Sequence, residues 1–337
     1  MLRSPFLKGL LVAVLTLVSP SAFAGQGDKD SGQCSLAIPV TVMAPDGTPV
    51  IHLTSTDFDA RVHGHPTIIA ALEEGLTSKR MVLVLDASKN VNAEAWKIET
   101  SVARFLADGS PRQVSLALVI LNADAPPLDF KTSPETMKSK LGELAASRPV
   151  SAKPSEDIYG GLMDALRLFE TKQFGDTIFA FLGGADTAHR TDANAVQRVF
   201  VEQGVRLFGL ILGQEALSGF YMTTPGGPGP REVPYDPDTN ELGHLAVGTG
   251  GLLAVENTHM QWATYHLTDE RLKELEITSH RFYSQMVVPY RIQIATNAQA
   301  KPESCSINLA AAIKLKAPGV RVLFPHQLAS CVPGNAR

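Results

Sequence analysis

The sequence predicts an α/β fold, with a doubly wound, mostly parallel sheet and a small β unit made from the two ends of the chain. Residues 81–85 read MVLVL, a continuous apolar run that ends at Asp86, as in a strand buried on both faces. Similar β runs then alternate with helical apolar spacing as far as residue 285. Strands separated by helices of this length need crossover connections, which place the strands in parallel with helices on both faces.

The central elements follow in chain order from the period of the apolar residues, which is helical in some segments and strand-like in others. The cluster TTPGGPGPREVPYDPD at 223–238 interrupts this order, because proline and glycine at this density sustain neither a helix nor an internal strand. We expect a long exposed loop there. Helices are predicted over 93–107, 134–146, 158–171, 193–203, 240–247 and 269–285, and strands over 113–121, 177–182, 205–212 and 252–255.

Short β runs flank this region on both sides, and neither flank has enough strands to be stable alone. We therefore expect the flanks to meet as one small unit. The division is an N-terminal β segment at 34–77, the α/β domain at 78–285 and a C-terminal β segment at 286–337. Strands are predicted over 37–43, 50–53, 58–62, 290–295, 306–311 and 320–324, with turn chemistry at 45–48.

The first 24 residues have the pattern of a secretory signal peptide. Arg3 and Lys8 form a basic start, an apolar run follows, and small residues end the segment, which predicts cleavage between Ala24 and Gly25. Residues 25–33 are small and polar and read as a flexible leader. No later stretch has the roughly 18 apolar residues of a transmembrane helix, so we expect a periplasmic or secreted protein without a stable membrane span.

Charge argues against a nucleic-acid partner. The formal net charge is −4. Removal of the predicted signal peptide, which has two basic and no acidic residues, makes it −6. The sequence also contains no basic block that would bind a phosphate backbone.

Three cysteines allow one disulfide in an oxidising compartment, in any of three pairings. Cys305 and Cys331 both lie in the C-terminal segment, whereas Cys34 begins the mature fold, so we favour a Cys305–Cys331 bond. Such a bond would contribute on the order of 3 kcal/mol. The alternative is that all three cysteines are small buried side chains.

Six segments carry short motifs that occur together in one family. DASKN at 86–90 has the form of a DxSxS loop, 156–166 of a second loop and helix, and 181–187 of a third loop. The others are the segment 40–61 with Asp57 and Phe58, LAVGTGGLLAV at 245–255, and the closing segment 283–294. Together they resemble the von Willebrand factor type A domain, and more closely a bacterial family of related proteins frequent in Acidobacteria. The resemblance covers nearly the whole mature chain, although each motif is short, and it implies the same α/β fold and a role in binding other macromolecules.

The family's metal-ion-dependent adhesion site takes its magnesium ligands from five positions, and the resemblance implies that this chain keeps two of them. Asp86 and Ser88 are retained, whereas Asn90 replaces the second serine, Glu156 the threonine and Gly183 the aspartate. Because magnesium requires about six oxygen ligands, we expect the metal dependence to be lost and no cofactor to be bound, unless the longer Glu156 side chain restores the site. Asp86 and Ser88 would then cap a helix or accept hydrogen bonds from loop amides.

Other candidate chemistry is weaker. His63 and His65 offer at most two metal ligands with no partner motif, which favours a surface role. The sequence has no GxSxG elbow, and its glycine-rich strings lack the spacing of phosphate or dinucleotide loops.

The resemblance therefore predicts a non-catalytic adhesion or scaffold module that recognises an unknown protein or surface ligand through the loops at the carboxyl ends of the strands. One alternative is an enzyme using the carboxylates of Asp86, Glu156, Asp157 and Asp186, although two of these four suit helix starts. The other is a periplasmic small-molecule-binding protein, although such receptors usually have two lobes.

Overall fold

The structure is a computed structural model, and it describes twelve segments of the chain. Outside them lie the predicted signal peptide at 1–24, the predicted leader at 25–33, the predicted loop at 223–238, and His63, Asn90, Glu156, Asp186, Cys305 and Cys331. The predictions on those residues stay predictions. The described segments are 34–62, 64–75, 79–89, 91–110, 114–149, 157–171, 173–183, 190–212, 241–255, 267–287, 290–296 and 312–326.

Twelve strands and six α-helices are formed within these segments. In chain order the strands are β1 (Cys34–Met43), β2 (Phe58–Val62), β3 (His65–Thr67), β4 (Ile69–Glu74), β5 (Lys79–Asp86), β6 (Val114–Leu121), β7 (Thr177–Leu182), β8 (Arg206–Ile211), β9 (Leu252–Val255), β10 (Tyr290–Thr296), β11 (Ala312–Leu315) and β12 (Arg321–Leu323). The helices are α1 (Ala93–Gly109), α2 (Pro134–Ala146), α3 (Ile158–Arg167), α4 (Ala193–Gln203), α5 (Glu241–Gly248) and α6 (Asp269–Val287).

The central sheet is parallel and has the strand order β6-β5-β7-β8-β9. Side chains of β5 alternate between two apolar cores: Leu83 and Leu85 face α1, α2 and α6, whereas Val82 and Val84 face α3, α4 and α5. Helices therefore cover both faces, and the predicted doubly wound α/β fold is confirmed.

The chain flanks meet in two antiparallel sheets, ordered β12-β1-β10-β4 and β11-β2-β3. β1 pairs with β10 from Cys34 opposite Thr296 to Val40 opposite Tyr290. Apolar side chains from both sheets form a third core. The small β unit is thus built from both ends of the chain, as the sequence predicts.

The strand predicted at 50–53 is wrong. Met43 and Pro49 form only an isolated bridge, and His52 has a φ of 62°, which interrupts extended backbone. The Tyr290 hydroxyl instead accepts from the Leu53 amide and donates to the Val50 carbonyl. These two hydrogen bonds take the place of bonds to a neighbouring strand.

Other boundaries differ from the prediction. β3 and β4 were not foreseen, and the strand predicted at 306–311 lies outside the described residues, which place β11 directly after it. α3 ends at Arg167 rather than 171, because the Leu168 and Phe169 amides bond three residues back and tighten the last turn. Among the described helices, none has the length and apolar character that a membrane crossing requires.

Candidate functional site

The candidate site lies where three neighbouring strands of the parallel sheet end. Asp86 is the last residue of β5, Asn122 follows β6 and Gly183 follows β7. Because carboxyl ends of parallel strands share one edge of the sheet, the three residues meet. We call this the carboxyl edge.

The Asp86 carboxylate joins the three loops through hydrogen bonds. Its Oδ1 accepts from the Ser88 amide at 2.9 Å and from Asn122 Nδ2 at 3.0 Å, and its Oδ2 accepts from the Gly183 amide at 2.8 Å. The side chain is fully buried. A buried carboxylate is stable only when hydrogen-bond donors balance its charge. The three N–H groups therefore stabilise Asp86, and through its carboxylate the three loops are fixed to one another.

Asn122 extends this network to the start of α3. Its backbone has a φ of 61°, in the left-handed region that asparagine tolerates better than most residues. Its Oδ1 accepts from the Asp157 amide at 3.4 Å, and Asp157 in turn caps α3 by accepting from the Gly160 amide at 2.9 Å. Asp157 is therefore a helix-start residue, which is one of the two roles the sequence leaves open for it.

Glu99 of α1 lies behind Asp86 and is fully buried. Its Oε2 accepts from the Asp86 amide at 2.9 Å, whereas its Oε1 has no partner among the described residues. Burial, and then the neighbouring Asp86 charge, raise the pKa of Glu99 well above its usual range.

Arg148 holds the first loop from the opposite side. Its guanidinium donates to the carbonyl oxygens of Ser88 and Val91 and lies over the Trp96 ring, 5.6 Å from the centroid. The indole of Trp96 donates to the Leu144 carbonyl at 2.9 Å, which ties α1 to α2 below the site. The first loop is therefore fixed at both ends.

Among the described residues at the aligned positions, only Asp86 and Ser88 bring side-chain oxygens, whereas magnesium takes about six oxygen ligands. Asp86 Oδ2 accepts a single N–H group, and the buried Ser88 Oγ has no hydrogen-bond partner among the described residues. No cluster of three His, Cys, Asp or Glu side chains occurs in the described part of the chain. A Cβ at Gly183 would lie 3.0 Å from Asp86 Oδ2 and 3.3 Å from Ser88 Oγ. Position 183 thus lies beside Asp86 and Ser88 and brings no side-chain oxygen.

The structure brings Asp86, Ser88 and Gly183 together. Asp86 accepts from loop amides, as foreseen, whereas the cap of α1 is Asn92, whose side chain accepts from the Ala95 amide at 2.8 Å. His65 lies exposed on β3.

Sequence reasoning missed Asn122, Glu99 and Arg148. Asn122 carries a usable signal, because it follows an apolar run just as Asp86 does. Glu99 carries another, because it stands on the apolar stripe of α1 between Ala95 and Val102. We see no comparable signal for Arg148.

The sequence matches no protein-family model and no curated protein. Among solved structures the chain is similar to a von Willebrand factor type A protein from Catenulispora acidiphila, at 13% identity and a TM-score of 0.42 over 77% of this chain and 52% of that one. It is similar to proximal thread matrix protein 1 of the mussel byssus at 13% identity and a TM-score of 0.43, over 67% and 50% of the two chains. An aerotolerance-related membrane protein from Bacteroides fragilis gives 15% identity and a TM-score of 0.37, over 60% and 99%. The chain spans about half the length of the first two of these structures.

Proposed function

We propose that the chain is an exported, non-catalytic adhesion or scaffold module of the von Willebrand type A kind, which binds a protein or surface ligand without a metal ion. The supporting observation is the Asp86 carboxylate, which fastens the loops after β5, β6 and β7 into one fixed surface.

The recognition surface in this proposal is the solvent side of these loops. Lys89, Asp124 and Arg190 are exposed there, one on each loop. Loops fixed before binding lose less conformational entropy when a partner docks, so a buried network below exposed polar residues favours recognition.

Metal independence follows from charge compensation. In the family as the resemblance describes it, a divalent cation balances the buried aspartate. Here three N–H groups do so, and an ion at Asp86 would gain no carboxylate from position 183.

The described carboxylates favour binding over acid–base catalysis. Asp86 and Glu99 are both fully buried, and Asp157 is engaged as the cap of α3. A general acid or base must reach the proton it transfers, so these three groups are poorly placed for a substrate in solvent.

The test is capture of partners from the exported proteins of the source organism, with the mature chain as bait and a chelator in every buffer. Asp124→Lys combined with Arg190→Glu should abolish capture of the partner. The matched control is Glu170→Lys, an exposed residue at the opposite edge of the sheet after α3, which should leave capture unchanged. Capture that needs added magnesium, or that both variants reduce equally, would contradict the proposal.

Export has its own readout. Expression of the full chain with its leader, followed by N-terminal sequencing of the protein outside the cytoplasm, should give Gly25 as the first residue. A chain retained inside with Met1 intact would remove export from the proposal and leave the binding surface to be judged separately.

A further inference from the structure

Two buried cations occupy the opposite, amino-terminal edge of the parallel sheet. Lys79 begins β5 and is 6% exposed, and Arg206 begins β8 and is fully buried. Lys79 stands two residues before Met81, and Arg206 two residues before Phe208, so each shares its side of the sheet with a residue of the core beneath α1 and α6. β7 runs between them, with Thr177 level with Arg206.

Arg206 is held in place by two of its three donor nitrogens. Nη1 donates to Thr41 Oγ1 at 3.0 Å, and Nη2 donates to the Met286 carbonyl at 2.8 Å, in the last turn of α6. The guanidinium carbon lies 5.2 Å from the centroid of the Phe208 ring. The group is therefore oriented, and its Nε–H is left without an acceptor among the described residues.

Lys79 has no acceptor at all for its ammonium within the described part of the chain. One strand, β7, separates the two residues on the same face of the sheet, and burial, and then the charge of Arg206, lower the pKa of Lys79 to about 7. No described carboxylate forms an ion pair with either of them. Two neighbouring buried cations without an anion are costly, because burial removes the solvation of both charges.

We propose that Lys79 and Arg206 bind a small monovalent anion, with chloride as its simplest form. The unused groups are all donors, the Lys79 ammonium and the Arg206 Nε–H, which suits an acceptor with no protons to give. Because both residues are buried, a compact monovalent ion is favoured over a multiply charged phosphate, whose desolvation costs more.

The anion has a structural consequence, because Arg206 also contacts β1 and α6. Neutralising the cation pair removes repulsion at the junction of the parallel sheet and the antiparallel unit. Binding should therefore be visible as stability of the whole chain, since a ligand that binds only the folded state raises the unfolding temperature.

Thermal unfolding of the mature chain tests this at a constant ionic strength of about 0.15 M, with chloride exchanged for the bulky anion gluconate. Chloride should raise the unfolding temperature by at least about 2 °C. Lys79→Met should lose this response. Lys97→Met, which changes an exposed lysine of α1, should keep it. An unmodified protein that unfolds at the same temperature in both anions overturns the proposal, as does an equal response in Lys79→Met.

If Lys79→Met fails to fold, crystals of the unmodified protein still test the proposal. Crystals grown with bromide in place of chloride should show anomalous scattering between Lys79 Nζ and Arg206 Nε. A diffraction map with no bromide at that position would overturn the proposal.

Discussion

The two edges of the parallel sheet bury opposite charges. Asp86 and Glu99 lie at or behind the carboxyl edge, whereas Lys79 and Arg206 lie at the amino edge. Loops and helix starts at the carboxyl edge offer free N–H groups, and helix ends at the amino edge offer carbonyls, as Met286 does for Arg206. The sign of each buried charge thus follows the polarity of the backbone around it.

The edges differ in how fully their charges are satisfied. Asp86 receives three hydrogen bonds from three loops, whereas Lys79 receives no acceptor from the described residues. An internally satisfied charge fixes structure, and an unsatisfied one leaves room for a ligand. The following substitutions test this contrast.

Asp86→Ala should have the largest effect, a loss of about 4 kcal/mol in the free energy of unfolding, because it leaves buried donors of three loops without an acceptor. Asp86→Asn should lose about half as much, since its amide oxygen can still accept from Ser88 and Asn122 while its NH₂ faces the Gly183 amide. Urea unfolding measures both. Asp124→Ala, in a neighbouring exposed loop, is the control and should change stability little; equal losses in both alanine variants would contradict a central role for Asp86.

Lys79→Met should change how stability depends on pH in chloride-free buffer. The folded pKa of Lys79, about 7, lies below the unfolded value of 10.5, so the unfolded chain binds more protons between them and Lys79 costs stability at low pH. The unmodified protein should therefore gain about 3 kcal/mol relative to Lys79→Met from about pH 7 to about pH 9.5. Using the difference between the two proteins cancels the opposing titration of Glu99, whose pKa is raised. Parallel pH profiles of the two proteins would contradict the burial of the Lys79 side chain.

Gly183→Asp tests whether the carboxyl edge can regain a metal site. The new Cβ would lie 2.6 Å from Val91 Cγ2, so Val91→Ala is combined with it to make room. In chelator the double variant should lose about 2 kcal/mol, because a second carboxylate approaches Asp86. Magnesium should raise its unfolding temperature and leave that of Val91→Ala alone unchanged. Magnesium binding by the unmodified protein tighter than about 1 mM, abolished by Asp86→Ala, would show that the site never lost its metal.

Thr41→Val should have the smallest effect, about 1 kcal/mol, because it removes one acceptor of Arg206 while keeping the shape of the side chain. Arg206 would still donate to the Met286 carbonyl. Calorimetric unfolding can resolve this loss, and an effect as large as that of Asp86→Ala would mean that the two edges are equally dependent on internal hydrogen bonds.

The local pattern of apolar residues along the sequence predicts most of the fold. α2, β7, α4 and β9 have the predicted bounds, because each is a run of one clear period with turn or capping residues at its ends. The strand prediction for 50–53 was wrong because the backbone of this segment bonds to the hydroxyl of Tyr290, which is far away in the sequence. Pairing across such a distance leaves no trace in a short window of sequence.

The sequence predicts those residues of the candidate site that directly follow an apolar strand. It does not predict those that reach the site through helix packing or strand order. Asp86 and Gly183 follow from motif position, and Asn122 could have been added on the same reasoning. Arg148 reaches the Asp86 loop only because α2 packs on α1, and the proximity of Lys79 to Arg206 depends on strand order. Neither relation is encoded in spacing along the chain.

The pairing of β1 with β10 also makes folding depend on the order in which the chain is synthesised. β1 is made first among the described strands, yet the strand beside it is made near the end, so Ile38 and Val40 stay exposed until then. An unpaired apolar strand is an aggregation site. A chain ending at Val287 should accordingly elute as aggregates in size-exclusion chromatography, because β1 would lack its partner strand β10.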